Sequence, residues 1–184
     1  MPAGAARAAR WLISQGATSL VSFGLAGALD PALRPGDLVI PRTVLCAEKR
    51  FTVTPQWTPT CELLFAADHV LATAANKHAA WAATNASAVD LESGAVAQVA
   101  AEAGIGFSVL RAICDPAERD LPPAALLALD GAGRIGMLRV LASVAAQPQQ
   151  IPALLRLAQD ASAARRGLLA ALSGIPASPK HDAG

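Results

Sequence analysis

The sequence predicts an α/β fold with helices covering both faces of one sheet. Three observations carry this expectation. Short runs rich in apolar and β-branched residues alternate with Ala-rich helical stretches. The runs are near-continuously apolar rather than alternating, the mark of strands buried on both faces. The chain has 184 residues, of which 53% are hydrophobic and only 16% charged; it is long enough to bury a sizeable core and too apolar to stay disordered.

Each element follows from local pattern. Residues 3–15 read as a helix stopped by Gly16. "TSLVSFG" (18–24) is a strand, and "LAGALDPALRPGD" after it is a Gly/Pro-rich loop. "DLVIPRTVLC" (37–46) is a second strand, with Pro41 marking an edge or a bulge. Residues 47–60, rich in Thr and Pro, form an exposed loop or lid. "HVLAT" (69–73) is a third strand and "AANKHAAWAAT" a helix. "ASAVDL" (86–91) is a fourth strand, followed by a helix over 93–103, and "FSVLRAIC" (107–114) is a fifth strand. Beyond "DPAERDLPPAA" the chain is helical, and apolar positions 151, 154, 155, 158, 161, 168, 169 and 172 form one stripe. Residues 1–175 make a single domain and 176–184 a frayed tail.

Composition excludes several classes of function. The net charge is +1 and there is no Tyr, so no basic, aromatic-laced surface awaits nucleic acid. No apolar run reaches the roughly 18 residues of a spanning helix. The N-terminal "MPAGAARAARWLISQGA" lacks an apolar signal core, so a cytoplasmic protein is expected. Cys46, Cys61 and Cys114 match no zinc or redox spacing, and His69, His78 and His181 do not cluster, so no metal is expected.

Ligands in α/β folds sit beyond the carboxyl ends of strands, and three such ends carry unusual residues. In "SFGLAG", Gly24 and Gly27 let backbone approach a ligand and offer N–H groups to an anion, or simply serve a turn. In "VDLES", Asp90 and Glu92 lie two apart, which on an extended strand sets both on one side; Ser93 is placed to cap the next helix. The alternative is that both acids serve only the helix start. In "RAICDPAERD", Asp115 ends an apolar strand before Pro116. A carboxyl partly desolvated there has a raised pKa suited to a general acid, and the alternative is an Asp turn cap. Cys114 reads as a small core thiol, since no His lies in a partner motif.

Taken in order, "SFGLAGALD", "PGDLVIP", "VDLES" and "LRAICD" resemble the purine nucleoside phosphorylase and methylthioadenosine–adenosylhomocysteine nucleosidase superfamily, across roughly residues 10 to 120. Within it, "GLAGALDPALRPGDLVIP", "AVDLESGAVAQVAAEAGIGFSVLRAICDPAERDLPPAAL" and "PALLRLAQDA" are similar to the hopanoid-associated phosphorylase branch. The resemblance implies a three-layer α/β/α fold with a mixed, mostly parallel sheet. It also implies an enzyme that releases adenine from adenosylhopane, using phosphate as co-substrate and no cofactor, and a homodimer or higher homo-oligomer.

Site roles come with the resemblance. It implies that Glu92 binds the ribose 2′- and 3′-hydroxyls, that Asp90 supports it and that Leu91 packs under the sugar, where the family has Met. Asp115 protonates the purine N7, and Ser22, Gly24 and Gly27 line a phosphate and ribose loop. Arg111, four residues before Asp115 and so roughly 13 Å from it along a strand, is not expected to neutralise it.

The sequence also departs from the family. The family's first strand has no counterpart ahead of the helix at residue 3. Ser22 and Leu25 stand where many phosphorylases carry Arg and Ser, and Cys114 stands for Ser. Two alternatives follow: a hydrolytic methylthioadenosine-type nucleosidase, and a truncated, inactive nucleoside-binding or oligomerising homologue. The C-terminal helix either packs its stripe as core or, through Arg156, Arg165 and Arg166, touches a membrane face.

Overall fold

In the computed structural model, which describes residues 3–128 and 147–173, seven strands form one mixed sheet. The strands are β1 (Ser19–Ala28), β2 (Leu38–Val39), β3 (Pro41–Cys46), β4 (Lys49–Thr52), β5 (Cys61–Ala66), β6 (Ala88–Asp90) and β7 (Gly106–Asp115). The helices are α1 (Ala3–Ser14), α2 (Ala74–Thr84), α3 (Ser93–Ala103), α4 (Pro123–Ala128) and α5 (Ile151–Ser173), the last preceded by a 3₁₀ turn at Pro148–Gln150. The strand order is β2-β7-β1-β6-β5-β3-β4. The longest pairing is parallel, β1 against β7 from Ser19↔Gly106 to Gly27↔Asp115, with a bulge at Ala26/Gly27. β5 runs parallel to both β3 and β6, while β2, β4 and the short β1–β6 contact are antiparallel.

Side-chain alternation on β7 divides the core between two helical layers. Phe107, Val109 and Ile113 face α3, where Ala97, Val99 and Ala100 are buried with Leu20, and α1 packs on α3 from outside. Leu110 and Ala112 face the other way, onto Ala164 and Leu168 of α5. Of the expected stripe only Leu168 is buried, with Leu154 and Ala161 partly so; Ile151, Leu155, Ala158, Leu169 and Leu172 are exposed, and Ala164, outside the stripe, completes the packed face. Gly167 makes the close approach possible, because a Cβ there would lie 2.6 Å from the Gly36 carbonyl oxygen. A smaller cluster of Leu29, Leu63, Ala67, Ala86 and Val89 receives Ala80 and Trp81 of α2.

Local chemistry sets the helix ends. Thr73 Oγ1 accepts from Asn76 N at the start of α2, and Asn85, left-handed at φ 55°, closes it with its N–H on Trp81 O. Gly104 at φ 67° ends α3 in the same way.

Several sequence expectations are corrected. The first strand does not stop at Gly24; it continues to Ala28, so Gly24 and Gly27 are strand residues and the expected Gly-rich loop starts later. Strand pairing with β7 overrides the glycines' preference for turns. The 37–46 strand is two strands with different neighbours, β2 on β7 and β3 between β5 and β4. The expected lid over 47–60 contains β4, hairpinned onto β3. The third strand is Cys61–Ala66 and not 69–73, where the chain instead turns toward the Thr73 cap. Along β1, the edge facing β6 is paired only at Gly27 and Ala28, and Ser19–Ala26 have no strand partner on that side among the described residues. The expected tail, 176–184, lies outside the described residues.

The split at Ile40 shapes the sheet. One residue separates β2, at one end of the strand order, from β3, near the other. The sheet must therefore curl until its ends meet. Thr60 N donates to Ile40 O, Thr54 N donates to Phe107 O, and Ser108 Oγ donates to Thr54 O, stitching the two ends together beside β7. No helix among the described residues is long and apolar enough to cross a membrane.

Candidate active site

The candidate site forms where β1, β6 and β7 end. It centres on a residue that the sequence reading considered only for its distance from Asp115. Arg111, inward-facing on β7 with its side chain 3% exposed, sits in register with Gly24. An ordinary side chain at Gly24 is excluded: its Cβ would lie 2.6 Å from Arg111 Nη1, and φ is +156°. The glycine therefore makes room for a guanidinium from the next strand.

Arg111 gathers both acids of "VDLES". Nη2 pairs with Asp90 Oδ2 at 2.8 Å, and Nη1 with Glu92 Oε2 at 3.2 Å. Nη2 also donates to Ser22 Oγ at 2.6 Å and Ser93 Oγ at 3.3 Å. The two hydroxyls are 3.0 Å apart, and Ser93 Oγ donates to Asp90 Oδ2. Arg111 Nε, also buried, has no hydrogen-bond partner among the described residues. Burial pushes the Asp90 carboxyl above the usual carboxylate range, with Arg111 and the Ser93 hydrogen bonds pulling it back.

The two acids do not meet as expected. β6 ends at Asp90, and Glu92 has helical backbone (φ −116°, ψ −34°), so the two-residue strand spacing does not apply. The shared arginine brings them together instead. Ser93 is the first residue of α3 rather than its cap; Asp90 receives the Ser93 N–H at 3.2 Å. Asp90 is enclosed, whereas the Glu92 side chain is 56% exposed and free to meet a ligand. Leu91 packs partly buried against the smaller core cluster. Ser22, placed in the sequence on a phosphate loop, is a buried strand residue whose hydroxyl is held by Arg111 and Ser93.

Asp115 is the last residue of β7, beside Gly27, where a Cβ would lie 3.5 Å from Asp115 Oδ2. Its carboxyl is not near Arg111. Lys77 of α2, fully buried, places Nζ 2.7 Å from Asp115 Oδ2. Burial pushes Asp115 up and Lys77 opposes it. Lys77 went unnoticed because "NKHAAWAAT" reads as an ordinary surface helix; the signal that did exist was Asp115, a strand-end acid in need of a partner.

Gly24 marks Arg111 and Gly27 marks Asp115, so the two centres are about 10 Å apart along β1. Burial pushes Cys114 up to about 11, consistent with a passive thiol. No group of acidic, His and Cys side chains among the described residues could hold a metal ion. A cavity of about 410 Å³ opens near Ile40, Trp57 and Ser108, at the opposite ends of the strands, and includes none of the site residues.

The model of the phosphorylase superfamily matches residues 1–71 and 58–130. No curated protein matches the chain. Among solved structures, S-adenosylhomocysteine nucleosidase from Streptococcus pyogenes, in complex with 5-methylthiotubericidin, is 17% identical; the match covers 96% of this chain and 76% of that one, with a TM-score of 0.62. Native futalosine hydrolase of Helicobacter pylori is 16% identical over 95% and 76%, with a TM-score of 0.61. A methylthioadenosine/S-adenosylhomocysteine nucleosidase from Colwellia psychrerythraea, in complex with adenine, is 20% identical over 77% and 74%, with a TM-score of 0.58. At these identities the likeness is one of fold.

Proposed function

The chain belongs to the phosphorylase superfamily, and from that premise and its site we propose that it cleaves the N-glycosidic bond of an adenine nucleoside. The observation that carries the reading is a pair of carboxylates in opposite environments at neighbouring strand ends. Glu92 is open to solvent and steadied by Arg111, and Asp115 is buried beside Lys77. Their opposite exposure assigns their roles. Glu92, ionised and acceptor-only, takes the ribose 2′- and 3′-hydroxyls and favours the positive charge that develops on the sugar. Asp115, pushed up by burial, donates to the purine N7. The C1′–N9 bond breaks with its electron pair going to the base, the oxygen of water bonds to C1′, and the proton water loses passes to solvent, which in turn reprotonates Asp115. Asp90 acts through Arg111, and Gly24 and Gly27 bring the β1 backbone close to the sugar.

The nucleophile that suits this site is water. Arg111 is already engaged by both Asp90 and Glu92, so it has little free charge or hydrogen-bonding capacity to offer a phosphate dianion. Phosphate, with adenosylhopane as substrate, is the second reading, and the sequence of the hopanoid-associated branch favours it. A small nucleoside such as methylthioadenosine suits the hydrolytic one, in keeping with the 5-methylthiotubericidin bound by the Streptococcus protein. On either reading the chain works as a homo-oligomer without a cofactor.

Adenine release tests this. The purified chain is given methylthioadenosine, and adenosylhopane in detergent, each with and without phosphate. Release without phosphate is expected, with a loss of about 10²- to 10⁴-fold in Asp115→Asn. Release that requires phosphate would overturn the assignment of water. No adenine from either substrate, in a folded sample, would overturn the whole reading.

A further inference from the structure

Lys77 is the least expected buried group in the molecule. It is 0% exposed and is the one residue of α2 that is fully buried. An ammonium has three N–H donors and no acceptor, and Lys77 spends all three. They go to Asp115 Oδ2 at 2.7 Å, Pro116 O at 2.9 Å and Arg119 O at 2.8 Å. Burying a cation is costly unless it is paired and hydrogen-bonded, and here both conditions are met by the segment that leaves β7. Two further bonds stitch that segment to the start of α2: Ala74 N donates to Asp120 Oδ1, and Leu121 N to Ala72 O.

Resting on the nucleoside-cleaving reading, we propose that Lys77 is the positioning residue that makes Asp115 a usable acid. Its ammonium fixes Oδ2, so Oδ1 is the oxygen left to carry the proton toward the base. When that proton moves, the Oδ1–H bond breaks and the N7–H bond forms as the C1′–N9 pair passes into the purine. The charge left on Asp115 is then a carboxylate already in contact with a buried ammonium. Without Lys77 the same transfer would leave a bare anion in a desolvated pocket. The two backbone carbonyls hold the ammonium in place whether or not Asp115 is ionised.

Other charged groups near Asp115 come from two further directions. Arg119, on the following loop, and Asp160, on α5, form an ion pair with each other. Both remain when Lys77 is replaced, and Lys77→Gln, which keeps N–H donors for the Arg119 and Pro116 carbonyls, separates loss of the charge from a shift of that loop.

The test compares wild type, Lys77→Met and Lys77→Gln. Gln supplies N–H groups to the two carbonyls without charge and serves where Met does not fold. Two readouts are taken. The first is the pH profile of kcat/KM for adenine release. The second is the titration of the Asp115 carboxyl in free protein by carbon NMR, assigned with Asp115→Asn. Loss of Lys77 is expected to move the Asp115 titration, and the basic limb of the profile, to higher pH. It is also expected to lower kcat by about tenfold or more, with no further loss when Lys77→Gln is combined with Asp115→Asn. A fall in rate with both titrations unmoved would overturn the proposal and leave Lys77 a packing residue. If wild type cleaves no nucleoside, the functional reading fails by itself. The NMR titration then decides Lys77 separately: a shifted Asp115 upholds the coupling and an unshifted one removes it.

Discussion

Replacing Arg111 with Met removes the one cation paired with Asp90 among the described residues. Both side chains are almost wholly buried, at 3% and 2% exposed, so their 2.8 Å contact is shielded from solvent. Taking away one partner of such a pair leaves an uncompensated charge and costs about 3–5 kcal/mol. Glu92 adds little to this, because its side chain is more than half exposed.

The cost has a sign in pH. Burial holds the Asp90 carboxyl above its unfolded value. The folded state therefore keeps a proton that the unfolded state releases, and the contribution of Asp90 to stability declines as pH rises from the unfolded value through the folded one. In Arg111→Met the lowering influence of the guanidinium is gone and the folded value moves higher still. The deficit relative to wild type is thus largest near neutral pH and shrinks in acid, where Asp90 is neutral and Arg111 has less to pair with. Urea unfolding of both proteins at about pH 7 and about pH 5 reads this directly, provided the m-values agree. An equal deficit at the two pH values, or one below about 1 kcal/mol near neutrality, would refute the ion-pair account.

Other consequences can be measured with simple variants. Gly24→Ala sets a Cβ 2.6 Å from Arg111 Nη1 at a backbone angle that L residues rarely adopt; a loss of about 1–3 kcal/mol in urea unfolding is expected, together with weaker nucleoside binding by calorimetry. Gly167→Ala drives a methyl against the Gly36 carbonyl, which is backbone and yields poorly; a similar loss of about 1–3 kcal/mol is expected in thermal unfolding. Burial raises the thiols of Cys46, Cys61 and Cys114, the last to about 11; an aromatic disulfide reagent near neutral pH should label the native protein slowly and the urea-unfolded protein at once, and rapid native labelling of Cys114 would contradict its enclosure.

The helices were legible because their signals are local. α2 and α3 begin and end where the sequence puts them, since Thr73, Asn85 and Gly104 act within one turn of their own helix. Strand ends were less so. "CELLFA" follows a Pro/Thr-rich stretch and alternates too weakly to stand out as a strand, while "HVLAT" has strand-like residues but lies past the end of β5 and pairs with no strand among the described residues. Asp90, Glu92 and Asp115 were picked out from strand-end position and residue type, and the structure puts all three at one end of the sheet. Their partners were harder. Arg111 was visible as a lone charge in an apolar strand, which by itself demands a carboxylate. Lys77 gave no local sign, because its burial depends on a loop more than thirty positions away.

The single-residue step at Ile40 also bears on how the chain is made. β2 and β3 are adjacent in the chain, yet β2 finds its partner only in β7 and β3 finds its parallel partner in β5. β1 likewise waits for β7 along almost its whole length. In a chain emerging from the ribosome β3, β4 and β5 have their mutual partners early, whereas β2 and most of β1 have none until Gly106–Asp115 appears. Pairings of such long separation form slowly and leave apolar strands exposed meanwhile. Val21, Phe23 and Leu25 are the residues at risk during that wait, and they remain part-exposed even in the finished sheet. A nascent chain halted before β7 should be the form that chaperones hold.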